Sequence, residues 1–198
     1  MLAKPSQGGG PVASRTQIVC LCEGKRGSSI DEVFINRLIR TLNPKWIRQS
    51  GSNFIRMVPC GNRADVIAKS TSELELCLNA GGDTTLMVSA DCDDDCADGN
   101  ALRQRFWVEA EKRGITRTDF DRIVFLFAKD RIENWIEFLT AGETDESKEG
   151  KRVKDNSEAA IAARKLASLC LNGNPVETMP PSLQWSCRNW RKLVERMT

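Results

Sequence analysis

The chain contains no histidine and no tyrosine among its 198 residues. Without histidine, no imidazole can serve as a general base, a proton shuttle or a metal ligand, so Ser–His and Cys–His hydrolases are excluded. Without tyrosine, no covalent intermediate between a tyrosine and DNA can form. Catalysis by this chain would have to use carboxylates, cationic side chains, or Ser and Cys nucleophiles that have no imidazole beside them.

The sequence also lacks an apolar run of the roughly 20 residues that a membrane span requires. Residues 1–15 are rich in Gly, Pro and Ser and have no apolar h-region, so we predict a flexible N-terminal tail rather than a signal peptide. No phosphate-binding loop of the form G-x-x-x-x-G-K-[S/T] is present, so an ATP-driven step would need a partner protein.

Cysteine is the residue type that bears on cellular compartment. The eight cysteines are irregularly spaced, and the chain is long for a scaffold stapled by disulfides. We therefore predict eight free thiols and a cytoplasmic location. A structural zinc site is not expected, because Cys92 and Cys96 have no second cysteine pair at ligand spacing and no histidine to complete a site.

The charge of the chain is unevenly distributed. The net charge is only +2, but residues 1–69 carry 11 Lys and Arg against four Asp and Glu, a balance of +7. The remainder carries a balance of −5. A basic half beside an acidic loop suits an enzyme that acts on a polyanion such as nucleic acid, although ordinary solvated surface charge gives the same pattern.

Strand and helix patterns alternate along residues 16–140. Four apolar runs are separated by three segments of helical spacing, and Ser29 to Glu32 has the S-x-x-E form of a capping box at the start of the first helix. This βαβαβαβ order predicts an α/β fold: a four-stranded parallel sheet flanked by helices, Rossmann-like in connection.

Two further segments follow the α/β domain. Residues 141–158 are dense in charge and poor in apolar residues, so we predict a mobile loop. Residues 159–198 contain two helical patterns and are predicted to form a C-terminal helical extension that covers an edge or a face of the sheet. An apolar stripe on the second pattern comprises Leu183, Cys187, Trp190, Val194 and Met197.

Two acidic motifs about seventy residues apart are the candidate site. Glu23 follows the first apolar run, and Asp91 and Asp93 follow the third. Because the ends of neighbouring parallel strands meet at one edge of a sheet, these carboxylates should converge. Two carboxylates about 4 Å apart repel by roughly 4 kcal/mol at an effective dielectric near 20. Such a cluster takes up a proton or binds a cation, and an all-oxygen set suits Mg²⁺ or Mn²⁺.

Five residues beside these motifs or after the fourth strand are secondary candidates. Asp95 is a fourth potential metal ligand in the acidic loop, and Glu133 a further one after strand four. The cations Lys25, Lys129 and Arg131 are candidate phosphate contacts.

In its order of features the chain resembles the Toprim domain: a strand ending in Glu23-Gly24, a helix, the Gly61-Asn62 turn, and a strand ending in Asp91-x-Asp93. The segment Cys22 to Lys25 is most similar to the small RloB-like proteins of phage-defence loci, which are related to overcoming-lysogenization-defect nucleases. The resemblance covers about residues 16–135. It implies a Mg²⁺-dependent nuclease that cleaves phosphodiesters of RNA or DNA, an effector in bacterial antiviral defence, with Glu23, Asp91 and Asp93 in the catalytic metal site.

Several alternatives remain open at this point. Glu23 could be an ion-paired structural carboxylate, and Asp91 and Asp93 could cap the helix that follows them. Trp185 and Trp190 could stack on bases or pack in the core. The chain could also be a non-catalytic interaction or sensor subunit that works with a partner ATPase or another defence protein. A phosphotransferase acting on small nucleotides would use the same metal chemistry.

Overall fold

The computed structural model describes residues 17–25, 27, 29–42, 54–81, 84–153, 155–171 and 178–197. The predicted tail, residues 1–15, lies outside this range. The elements are β1 (Gln17–Cys22), α1 (Ile30–Thr41), β2 (Ile55–Pro59), α2 (Arg63–Asn79), β3 (Thr84–Cys92), α3 (Gly99–Lys112), α4 (Arg117–Phe120), β4 (Val124–Lys129), α5 (Ile132–Ala141), α6 (Asn156–Leu171) and α7 (Pro181–Met197). None of the helices in the described parts of the chain is long and apolar enough to cross a membrane.

The four strands form one parallel sheet in the order β2-β1-β3-β4. Ile18 of β1 pairs with Ile55 of β2 and Thr85 of β3, and Ala90 of β3 pairs with Phe127 of β4. Because all strands run the same way, their carboxyl ends lie along one edge of the sheet. This arrangement confirms the predicted four-stranded parallel sheet flanked by helices, with a helical extension after it.

The side chains of each strand alternate between two hydrophobic cores, one on each face of the sheet. In β1, Ile18, Cys20 and Cys22 belong to the core shared with α1, α5, α6 and α7. Val19 and Leu21 belong to the core shared with α2, α3 and α4. Burial on both faces explains why the strands appear in the sequence as continuous apolar runs rather than as alternating ones.

The last two helices complete the fold in different ways. Helix α6 packs against α1 and α5, whereas α7 lies along β4, the last strand of the sheet. The Ser186 hydroxyl on α7 bonds to both backbone groups of Phe127: it accepts from the amide at 3.0 Å and donates to the carbonyl at 3.2 Å. An uncovered strand edge presents unpaired backbone groups, so α7 protects this edge.

One disulfide joins α6 to α7, which corrects the prediction of eight free thiols. Cys170 and Cys187 are bonded, with their Cα atoms 5.5 Å apart. The other six cysteines are free and buried. Burial raises the pKa of the Cys22 thiol to about 12, as expected for a thiol that packs as a small apolar side chain. The irregular spacing of the cysteines did not indicate this pair, because Cys170 and Cys187 come together only when α6 and α7 pack in the folded extension.

The predicted capping box at the start of α1 differs from the structure. Ser29 stands at the N-cap of α1 but makes no side-chain capping bond, and its hydroxyl donates instead to Asp31 Oδ2 at 2.9 Å. Glu32 accepts from the amide of Gly27. The S-x-x-E pattern is therefore not a capping box here.

The charged segment 141–158 contacts the body of the protein. The Asn134 side-chain amide donates to the Lys148 carbonyl at 3.3 Å, and the Glu146 carboxylate bonds to the Ser182 hydroxyl at the start of α7. Helix α6 begins at Asn156, three residues before the predicted start of the extension at residue 159. The motion predicted for this segment stays a prediction.

Candidate carboxylate site

The site begins at a tight turn between β1 and α1. Glu23 follows the last residue of β1, and Gly24 has φ +92°, a conformation that L side chains rarely adopt. The backbones of Gly24 and Gly61 exchange two hydrogen bonds of 3.0 and 3.1 Å, which fasten this turn to the end of β2. A Cβ atom on Gly24 would lie 2.7 Å from the Ser29 hydroxyl. Two separate reasons therefore favour glycine at position 24, its backbone conformation and its closeness to Ser29. The turn fixes the position of Glu23.

Glu23 reaches across to the neighbouring strand. Its Oε1 atom accepts a hydrogen bond of 2.9 Å from the amide of Asp91, the residue before the end of β3. The two predicted motifs are therefore brought together at the carboxyl edge of the sheet, as the strand order requires. Glu23 has no salt-bridge partner among the described residues, so the alternative of an ion-paired structural carboxylate has no support there.

Four partly buried carboxylates with raised pKa values lie at this edge: Glu23, Asp31, Asp91 and Glu133. Burial is the main cause of the raised pKa of Asp91, and the charges of Asp31, Glu23, Asp93 and Glu133 add to it. Burial also raises the pKa of Glu23, although the bond from the Asp91 amide opposes the shift. Burial, more than the neighbouring charges, therefore opposes ionisation of these carboxyl groups.

Asp31 and Glu133 come to the cluster from the first turns of two helices. Asp31 lies in the first turn of α1, and burial raises the pKa of its carboxyl in spite of the bond from Ser29. Glu133 lies in the first turn of α5, and burial raises its pKa, with a further contribution from Asp31. Glu133 was a secondary candidate, whereas Asp31 was missed because the sequence pattern assigned its turn to helix capping.

Asp93 and Asp95 lie in a second, positively charged environment on the same loop. The Arg63 guanidinium contacts Asp93 at 3.1 Å and Asp95 at 2.7 Å, and it donates to the Asp91 carbonyl at 3.2 Å. Arg105 binds the other oxygen of Asp95 at 2.6 Å. These two arginines lower the pKa of Asp95 through hydrogen bonds, that from Arg105 being the stronger cause. Asp95 is thus neutralised by two arginines, while Asp93 lies between Arg63 and the cluster of buried carboxylates.

Arg63 is a site residue that the sequence did not reveal. It is the first residue of α2, and only 16% of its side chain is exposed. Its position follows from topology, because a helix that comes after a parallel strand begins at the carboxyl edge of the sheet. The Asn62 side chain caps this helix by accepting from the Asp65 amide at 3.0 Å.

The three predicted phosphate contacts lie in different surroundings. Lys25 is exposed beside the Glu23 turn. The Lys129 ammonium lies 3.4 Å from the Asp93 carbonyl and 3.8 Å from the Asp94 carboxylate, so it borders the acidic loop. Arg131 pairs with Asp130 at 3.3 Å and with Glu149, and so faces the charged segment 141–158.

Asp98 and the two tryptophans have structural roles. Asp98 is the N-cap of α3, where its side chain accepts from the Ala101 amide. The caps therefore do not use Asp91 or Asp93. Trp185 and Trp190 are both buried, and the Trp185 ring stacks on Phe127 with centroids 5.2 Å apart. Core packing, not base stacking, occupies their faces.

Within the described ranges, no three His, Cys, Asp or Glu side chains form a ready-made metal site. The donor set nevertheless suits a hard divalent cation, because it consists of carboxylate oxygens whose pKa values are raised by burial first and by neighbouring negative charges second. A cation would have to draw these carboxylates closer together than they are in the structure.

Comparisons of the chain with protein-family models, with curated proteins and with solved structures find no match in any of the three.

Proposed function

We propose that this chain is a Mg²⁺- or Mn²⁺-dependent nuclease of the Toprim type. The observation that carries the proposal is the contact between Glu23 and the Asp91 amide at the carboxyl edge of the sheet, with Asp31 and Glu133 beside it. The Toprim resemblance supports the same reading from the sequence. Carboxylates concentrated where their charge is unfavourable point to a functional site, because burial and like charges would otherwise have to be compensated.

Asp91 and Asp93 would hold the cation, with Asp31 or Glu133 as a further ligand, and Glu23 would be either another ligand or the general base. When bound, the cation would polarise a phosphodiester and favour formation of the attacking hydroxide. Asp95 is not included in the ligand set, because Arg63 and Arg105 already neutralise it.

Glu23 is suited to accept a proton from the attacking water. Its pKa is raised by burial, which brings it toward the range where a general base is effective. Arg63 holds Asp93 and the Asp91 carbonyl in place, and so acts as a positioning residue. The excess of positive charge in residues 1–69 suits a nucleic-acid substrate.

A second candidate is a non-catalytic or complex-dependent subunit that acts with a partner ATPase. The absence of a ready-made metal site among the described residues favours this candidate, as does the ion pair that occupies Asp93. In that case the carboxylates would be completed, or used as a sensor, only within a complex.

The two candidates are separated by testing the purified chain alone. Calorimetric titration with Mn²⁺ and cleavage assays on total RNA and plasmid DNA should give binding and Mn²⁺-dependent cleavage for the wild type. Glu23→Gln should lower the rate by about 10²-fold or more, the usual scale for a positioned acid or base. Asp94→Asn is the matched control, because Asp94 lies in the same loop but is fully exposed. The nuclease proposal would be wrong if the chain cleaved no nucleic acid with either Mg²⁺ or Mn²⁺ and if Asp91→Asn bound Mn²⁺ as the wild type does.

The role in antiviral defence is proposed from the Toprim resemblance. A nuclease without its own nucleotide switch must be restrained or selective, so we expect expression of the wild-type chain to slow bacterial growth and Asp91→Ala to relieve the effect. Growth curves at matched expression test this. Equal growth of both strains would favour the subunit candidate.

A further inference from the structure

A cleft of about 480 Å³ opens beside the acidic loop. It lies between the ends of β3 and β4 and the first turns of α3 and α7. Its volume falls within the roughly 300–1,000 Å³ of sites that hold small molecules. The walls that matter here are an apolar one, formed by Cys92, Ala97, Gly99, Pro181 and Trp185, and a cationic one, formed by Lys129 and Arg188.

The two acidic residues of the cleft are already engaged. Asp98 caps α3 through a bond of 2.8 Å from the Ala101 amide. Glu146 bonds to the amide and the hydroxyl of Ser182 at the start of α7. Both carboxylates keep their charge, but each is fixed at a helix N-terminus, where the helix dipole partly offsets it.

The two cations are available to an incoming anion. Lys129 makes only long contacts, to the carbonyls of Asp93 and Cys96 at 3.4 and 3.5 Å and to the fully exposed Asp94 carboxylate at 3.8 Å. Arg188 is exposed on α7 and has no ion pair in the described parts of the chain. Both ions therefore give the cleft a positive side without a strong internal partner.

The apolar wall of the cleft is built around Trp185. Trp185 is held between Phe127, on which it stacks, and Gly99, where a Cβ atom would lie 2.6 Å from the indole ring. Its Nε1 donates to the Asn100 Oδ1 atom at 2.8 Å. This bond orients the Asn100 carboxamide, and Asn100 also lines the cleft.

We propose that this cleft binds one nucleotide, with the phosphate facing Lys129 and Arg188 and the base in contact with the apolar wall but not stacked on Trp185, whose ring faces are covered by Phe127 and Gly99. This rests on the proposed function, because Lys129 also contacts the Asp93 carbonyl and so joins the cleft to the carboxylate site. A nucleotide held here would be a subsite for a substrate strand, with a neighbouring phosphate directed to the carboxylates. The same chemistry would recognise a free mononucleotide.

The test is a binding titration in EDTA, so that it does not depend on metal or cleavage. The indole N–H signal of Trp185 in ¹⁵N-labelled protein, assigned with Trp185→Phe, is followed while a 5′-mononucleotide, its nucleoside, inorganic phosphate or a short single-stranded oligonucleotide is added. We expect a saturable shift with the nucleotide or the oligonucleotide, and binding of the nucleoside and of phosphate weaker by about fivefold or more.

Three variants locate the binding. Arg188→Ala should weaken it by about tenfold, the scale of a lost charge-assisted contact. Ala97→Trp, at an exposed position of the wall, should fill the cleft and abolish binding. Arg164→Ala, which removes an exposed helical arginine outside the cleft, should bind as the wild type does.

Each outcome decides the point. Binding of the oligonucleotide alone identifies a strand as the ligand, and binding of the mononucleotide alone identifies a free nucleotide. The proposal would be overturned if neither the mononucleotide nor the oligonucleotide gave a saturable shift, or if inorganic phosphate bound equally well. It would also be overturned if both Arg188→Ala and a folded Ala97→Trp bound the nucleotide as the wild type does. Asp91→Asn should still bind the nucleotide in EDTA, so a failure of the proposed nuclease function would show separately.

Discussion

The amide of Asp91 donates a 2.9 Å hydrogen bond to the Glu23 carboxylate, although the two residues are 68 positions apart in the chain. The bond links the ends of adjacent strands β1 and β3, and it holds one buried acidic group beside another. In the absence of a cation this arrangement is unfavourable, because burial and like charge both oppose ionisation. The first two predictions follow from this conflict.

Asp91→Asn should stabilise the metal-free protein at neutral pH, by about 1 kcal/mol. Burial raises the pKa of Asp91 in the folded protein, so protonation stabilises the fold. That contribution is complete below the ordinary carboxyl pKa and is lost as the pH rises through the raised value. The gain from Asp91→Asn should therefore be larger near pH 8 than near pH 5 in urea unfolding with EDTA. An equal gain at both pH values, or a loss at both, would contradict this account.

Mn²⁺ should raise the melting temperature of the wild type. An ion present at about 100 times its dissociation constant stabilises the folded state by about 2.7 kcal/mol, which corresponds to a shift of about 5 °C or more in a chain of this size. Glu23→Gln should lose most of the shift, whereas Asp94→Asn should keep it. A thermal melt of each variant with and without Mn²⁺ provides the measurement, and equal shifts in all three would remove Glu23 from the ligand set.

Gly24→Ala should destabilise the protein by about 2–3 kcal/mol. The substitution combines a strained backbone at φ +92° with a contact of 2.7 Å to Ser29. Gly114→Ala is the matched control, because Gly114 has φ +77° but open space around its Cα. The difference between the two variants in urea unfolding isolates the contact with Ser29. Equal losses would show that the turn can relax around an added methyl group.

The unreduced, denatured protein should contain six reactive thiols and the reduced protein eight. Cys170 and Cys187 form the pair that accounts for the difference, and they lie 17 positions apart. In the chain-entropy model a loop of about this length stabilises the fold by about 3 kcal/mol. Counting with a thiol reagent, and comparing unfolding of the wild type with that of Cys170→Ser/Cys187→Ser, tests both numbers. Eight thiols without reductant would show that the bond does not form.

Ser186→Ala should destabilise the protein by about 1–3 kcal/mol, because it leaves the buried amide and carbonyl of Phe127 without their partner. Hydrogen exchange at the Phe127 amide should accelerate in parallel. Ser72→Ala is the control, since the Ser72 hydroxyl bonds an exposed carbonyl on α2. Unchanged exchange at Phe127 would mean that α7 is not fixed to the strand by this side chain.

The sequence was sufficient for the sheet and for the meeting of Glu23 with Asp91. Continuous apolar runs marked the strands, and parallel topology placed their ends at one edge. The place of Asp31 in the site could not be predicted, because the S-x-x-E pattern is equally consistent with helix capping. The structure shows instead that Ser29 donates to Asp31 and that the Asp31 carboxyl is buried. Arg63 and the arginine partners of Asp95 could not be predicted for a related reason: which acid an arginine pairs with depends on side-chain directions that periodicity does not contain.

Helix α7 has a consequence for synthesis on the ribosome. It follows β4 in the chain, with α5 and α6 between them, yet it supplies the Ser186 bonds that close the open side of that strand. During translation β4 is complete before its cover exists, and an exposed strand edge recruits other chains. Nascent chains stalled before α7 should therefore be the aggregation-prone species in the cell, and chaperone demand should fall once this helix has emerged.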